Sequence, residues 1–221
     1  MLETKAREWQ PRVDDLPDVG KLVHLAMRMT QADVERIKGE LTKRRQRAYE
    51  DELTIQAGRV GCGGRRGRLT TGPSLTQMSN LSQRDAESII NTYNYDLALA
   101  IEHIRAETPT ANRNVYAKRL KDWEAKRAAW KSGQIAEFTE GTARAKAQQD
   151  FHMFNNIVGY ANLTPKDAVC PVCKGWVARG DVSLREAQNH PPPYHVNCPH
   201  LWQTYPDKVP QSECSNLWMG E

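Results

Sequence analysis

The sequence predicts a mainly α protein: an extended helical bundle or hairpin, followed by a small irregular C-terminal module stapled by cysteine and histidine side chains. Three observations carry this. Between residues 82 and 130 apolar side chains recur every three or four positions, the period that places them on one helix face. At Thr164-Pro165 this period gives way to frequent prolines and tryptophans. Four of the five cysteines then fall between residues 170 and 214.

In chain order, residues 1–29, with Pro11, Pro17 and Gly20, lack periodicity and read as an N-terminal arm. From Thr30 the string TQADVERIKGELTKRRQRAYEDELTI is helical in character. Thr30 and Asp33 match a capping box, and Val34, Ile37, Leu41, Ala48 and Leu53 outline an apolar stripe. Its middle, KRRQR, is basic and includes Arg44 and Arg45. The glycines of GRVGCGGRRGRLTTGPS, residues 58–74, predict an irregular loop, in which Arg59, Arg65, Arg66 and Arg68 have no acid among them. Residues 30–74 thus form a basic helix-and-loop region.

Ser82 opens the clearest helix, with Ile89, Tyr93, Leu97, Ile101 and Ile104 on one face. Beyond Pro109, Tyr116, Leu120, Trp123 and Trp130 mark a second helix at near-heptad spacing. A third segment, about 132 to 158, carries Ile135, Phe138, Phe151, Phe154 and Ile157. Residues 75–160 read as the helical region and 161–221 as the C-terminal module.

Composition narrows the function classes. A hydrophobic fraction of 39% argues against an unusually large core. A formal charge of +4 is mild, so any polyanion contact is expected to be local. No apolar run reaches the ~18 residues of a membrane span, and MLETKAREWQ lacks the apolar core of a signal peptide. The expectation is a protein made in the cytoplasm, where disulfides poorly explain an odd number of cysteines. Cys62 and Cys214, each isolated, are read as incidental.

Cys170-Pro-Val-Cys173 has the C-x2-C spacing that lets two thiolates bind one ion from a tight turn. The stretch HPPPYHVNCPH, residues 190–200, follows; its prolines exclude a helix and present His195 and Cys198, with His200 just beyond. Two such pairs about twenty residues apart are the usual pattern of a structural zinc site. The expected ligands are Cys170, Cys173, His195 and Cys198, with His200 as the substitute for His195; His190 is read as a bystander. Two other readings exist: a redox C-x2-C, which lacks its βαβ setting here, and buried thiols without metal. A catalytic zinc needs an open position served by a base, for which Glu186 is the nearby candidate.

These residues resemble a family. DAVCPVCKGWVARGD followed by PPPYHVNCPH is similar to the C-terminal module of tailed-bacteriophage minor head proteins, the Mu F-like or head-morphogenesis family, with the pattern D-x-x-C-x-x-C, Gly, P-P-x-H-x-N-C-R-C. Asp167, Cys170, Cys173, Gly175, Pro192, Pro193, His195, Asn197 and Cys198 match it, whereas Pro199-His200 stands in place of Arg-Cys. The resemblance covers about 40 residues. It implies a non-enzymatic, multi-copy component of the virion head, made in the host cytoplasm. Such a protein contacts the portal or major capsid protein and acts in head assembly or DNA packaging and delivery. Arg44, Arg45, Arg65, Arg66 and Arg68 are then candidates for phosphate contacts with packaged DNA. The alternatives are a zinc-finger DNA-binding protein or a His-Asn-His nuclease; against the nuclease, PPPYHVN lacks the strand pattern that should precede its Asn.

Overall fold

The structure, a computed structural model, describes residues 24, 28–69, 73–110, 112–166, 170–193, 198 and 200–220, with the backbone alone at 73, 74, 113, 128–133 and 136. The arm expected over 1–29 lies outside them except for His24, Arg28 and Met29, as does the side chain of Trp130.

The protein is mainly helical with a small sheet in its C-terminal region. Three long helices come first: α1, Gln31–Arg59; α2, Pro73–Glu107; and α3, Arg113–Phe154. At the start of α1 the Asp33 carboxylate accepts the Thr30 N–H at 2.9 Å and its hydroxyl at 3.1 Å, which holds the Asp33 carboxyl below its usual range. α2 begins nine residues before Ser82, at a proline whose fixed φ suits the first helical position. It ends just before Pro109, which disfavours helix in the residue ahead of it. The two helical segments expected over 113–158 are a single helix capped by the Asn112 carboxamide oxygen. Gly133 and Gly141 cost a helix roughly 1 kcal/mol each and do not break it, as a proline would.

The chain divides into two compact units, residues 1–40 with 79–132 and residues 41–78 with 133–221, each taking part of the three helices. The first unit is built on the expected stripe. Tyr93, Leu97, Ile101 and Ile104 of α2 and Tyr116 and Leu120 of α3 are buried together, with Trp123 and Met29 against them. Ile90 is buried, whereas Ile89 is half-buried. Arg127 lies over the Tyr93 and Trp123 rings at 5.4 Å and pairs with Asp96. The Asn94 carboxamide exchanges hydrogen bonds with the Met29 backbone.

In the second unit Tyr49, Leu53, Ala57, Val60 and Leu69 pack with Ala143, Ala147 and Phe151 of α3 and with Leu217 and Met219. Phe154, near the end of α3, is 55% exposed. Beyond α3 come β1, Gly159–Thr164; α4, Pro171–Arg179; β2, Val182–Ser183; α5, Leu184–Asn189; β3, Leu201–Pro206; and a 3-10 turn, Gln211–Asn216. The strands form an antiparallel sheet in the order β2-β1-β3. Alternation sends Ala161, Leu163, Trp202 and Thr204 inward. Tyr160 and Tyr205, directly opposite in register, stack on the outer face with ring centroids 4.9 Å apart. At Gly159, φ is +142° and a Cβ would lie 2.4 Å from the Tyr205 carbonyl oxygen, so only glycine lets the strands close there.

The sheet is tied to α1 and α3 by buried polar groups. The Glu52 carboxylate accepts from Gln56 Nε2 at 2.6 Å and from Gln148 Nε2 at 2.9 Å. Gln148 Nε2 also donates to the Trp202 carbonyl, and Arg59 donates to the Thr204 hydroxyl and carbonyl. Gln56 Oε1 accepts from the Thr204 hydroxyl and faces His152 Nε2 at 3.0 Å. Since Gln56 Nε2 is engaged with Glu52, its oxygen faces the ring, so His152 carries its proton on Nε2. Burial first, then the Arg59 charge, lowers the His152 pKa to about 4, so this imidazole is neutral near pH 7.

Candidate metal centre

Cys170 is the N-cap of α4. Its extended backbone, φ −78° and ψ 150°, turns the chain into the helix, Pro171 occupies the first turn, and the Cys170 sulfur accepts the Cys173 N–H at 3.3 Å. This local geometry sets Cys173 one turn further on. Its side chain is fully buried among Ala161, Leu163, Val182, Leu184, Ala187 and Trp202. Cys198 and His200 arrive from the segment leading into β3.

Ligand atoms of Cys173, Cys198 and His200 lie within 4.8 Å of one another, a group that can hold a metal ion. The two sulfurs are 3.5 Å apart, and the Cys198 sulfur is 3.6 Å from His200 Nδ1. A tetrahedral ion at ordinary metal–thiolate and metal–imidazole distances requires edges of about 3.8 Å between sulfurs and about 3.6 Å between sulfur and nitrogen. The cluster therefore fits an ion with little adjustment. Hydrogen bonds from the Cys173 thiol and then from backbone amides lower the Cys170 pKa, whereas burial and then the neighbouring thiols raise that of Cys173. A bound cation would favour the thiolate form of both.

Of the expected ligands, Cys173 and Cys198 are brought together; Cys170 lies outside their group with His200, although its sulfur accepts the Cys173 N–H. His195 lies outside the described residues, as do Asp167 and Asn197 of the matched pattern. His200, the substitute, is in the cluster and buried; its Nε2 has no hydrogen-bond partner among the described residues. His190 is not in the cluster; its ring packs on Trp176 with centroids 4.8 Å apart, and its carbonyl accepts the Trp202 indole N–H at 2.9 Å. The prolines after it follow a residue anchored to the wall of the module. Glu186, the candidate base, pairs with Arg179, which also lies over the Trp176 ring.

The basic residues separate. Arg44, Arg66 and Arg68 are exposed, Arg44 within 3.4 Å of Glu140. Arg45 is 2% exposed, and the half-buried Arg65 donates to the carbonyls of Cys214 and Leu217, so Arg45 is withdrawn from the surface and Arg65 is engaged by the C-terminal segment. Cys62 and Cys214, read as incidental, form a disulfide across 152 residues of sequence. Their separation hides the pairing from sequence, since spacing alone does not reveal connectivity. Among the described helices none is long and apolar enough to cross a membrane. Comparison with protein-family models, curated proteins and solved structures gave no match.

Proposed function

We propose that the chain is a structural, non-enzymatic minor head protein of a tailed bacteriophage, present in several copies in the virion and contacting the portal or major capsid protein through its helices. A zinc ion staples its C-terminal module. The observation that carries this reading is the convergence of Cys173, Cys198 and His200 at the two ends of a motif that resembles the minor head family. Thiolates with imidazole are donors that suit zinc. Cys170 supplies the remaining thiolate, and His200 takes the place of the family's final cysteine. The staple has a physical purpose, because a module of this size has few core positions and needs a cross-link to hold one shape. Arg44, Arg66 and Arg68 offer phosphate contacts to packaged DNA that need charge and no sequence code.

Two measurements test the proposal. Elemental analysis of the purified chain should find one zinc per molecule; a metal-free chain that is fully folded overturns the staple. The genes beside it should encode portal and major capsid proteins, and co-expression with them should yield heads that carry the chain through sedimentation. Heads that form and sediment without it overturn the assignment to the head.

A further inference from the structure

We infer that residues 207–220 form a strap whose hold on the second unit is set by the redox state of Cys62 and Cys214. After β3 the chain runs back over the loop that follows α1. The Asp207 N–H donates to the Val158 carbonyl and the Val209 N–H to the Val60 carbonyl, each at 2.9 Å. Lys208 Nζ and Gln211 Nε2 reach the carbonyls of Arg59 and Gly61 at 2.7 Å. Past the 3-10 turn, Leu217 and Met219 enter the core of Tyr49, Leu53, Val60, Leu69 and Phe151, while Asn155 clamps the Trp218 backbone through both its amide atoms. The Arg68 N–H donates to the Met219 carbonyl, and at Gly220, with φ +107°, a Cβ would lie 2.2 Å from the Arg68 oxygen.

The strap's residues beyond the 3-10 turn and the 60–69 loop lack regular secondary structure, and each supplies the other's partners. Their one covalent tie is Cys62–Cys214. Its two sulfurs are placed unequally: Cys62 is buried in the core, whereas Cys214 is half-buried in a turn whose other residues are exposed. Exchange therefore begins at Cys214. Its thiolate attacks a sulfur of oxidised glutathione and releases one glutathione thiolate. The Cys62 thiolate then displaces the second from the mixed disulfide, so two protein thiols are oxidised and one glutathione disulfide is reduced to two thiols. In a reducing milieu the pair is open, and the strap is held by its apolar anchors and hydrogen bonds alone. Local opening then uncovers the seat of Leu217 and Met219 without unfolding the rest of the unit.

The test is hydrogen exchange on the full chain, with its metal retained, in three forms: oxidised, reduced, and the double variant Cys62→Ser with Cys214→Ser. Amides of 207–220 and 60–69 should exchange at least about ten-fold faster in the reduced and variant forms, with 171–189 and 143–154 unchanged. Strap exchange within about two-fold of the oxidised form overturns the inference. So does equal acceleration throughout the unit, or loss of its fold, because the disulfide then holds more than the strap. Oxidised glutathione should convert the reduced chain to the disulfide form with release of two glutathione thiols, and failure to do so also overturns it.

Discussion

The two units hold their cores by different means. In the first, residues of one helix at i, i+4, i+8 and i+11 meet a short run of the next helix, and these helix–helix contacts span a few tens of residues. In the second, position 49 meets 150, 52 meets 148, 62 is bonded to 214 and 173 faces 198. An amphipathic helix pair needs its stripe and a turn to find its partner. Segments gathered from across the chain lose more entropy on closure, and here they meet at a disulfide, a thiol–imidazole cluster and buried carboxamides. The first unit's contacts are also the more local, the kind that form early in folding.

The contrast breaks first at the cluster. Cys198→Ser should abolish metal binding and remove hydrogen-exchange protection across 159–206, while the α2 and α3 amides of the first unit keep theirs. Retained protection of the sheet would show that the cluster is not what holds it. Next in size, Leu97→Ala deletes a fully buried side chain of the first unit and should cost about 3 kcal/mol in denaturant unfolding, with the disulfide and the sheet unaffected.

A smaller effect sharpens the role of buried polarity. His152 has a pKa of about 4 in the fold, against about 6.5 in an unfolded chain. Between these values the unfolded state binds the extra proton, so the second unit loses stability as pH falls from about 6.5 towards 4, by at most about 3 kcal/mol. Above that window the histidine contributes no pH dependence. Burial lowers His24 as well, with the same sign in the first unit, so the readout must be local. Protection of residues 143–154 should decline with acid in the natural chain and decline less in His152→Gln, which keeps a donor for Gln56. Identical slopes would remove His152 as the cause.

How much of this was legible follows the same division. The 82–107 stripe predicted the buried face of α2, because burial and period coincide there. The break expected near residue 132 was wrong, because Ser132-Gly133 is a weak helix breaker without a proline. The early start of α2 was obscured by the glycines before it, although Pro73 carried the signal of a first helical position. At the cluster, Cys170 and Cys173 were readable from spacing because the turn that positions them is local. His200 stood only as a substitute, since its placement depends on the register of β3 against β1. Glu52, Gln56, Gln148 and His152 were missed, although each pair sits four apart on one helix face; buried polar side chains leave no trace in hydrophobic periodicity.

The bonds from Gln148 and Arg59 to the carbonyls of Trp202 and Thr204 have a consequence beyond the unit's own stability. β3 is the outer strand of the sheet, and those oxygens face away from β1, where another chain's strand would otherwise add. With them occupied, and with β2 only two residues long at the opposite side, the described sheet is a poor template for growth. Copies of the chain brought to high local concentration are then protected from fusing through their sheets into cross-β aggregates.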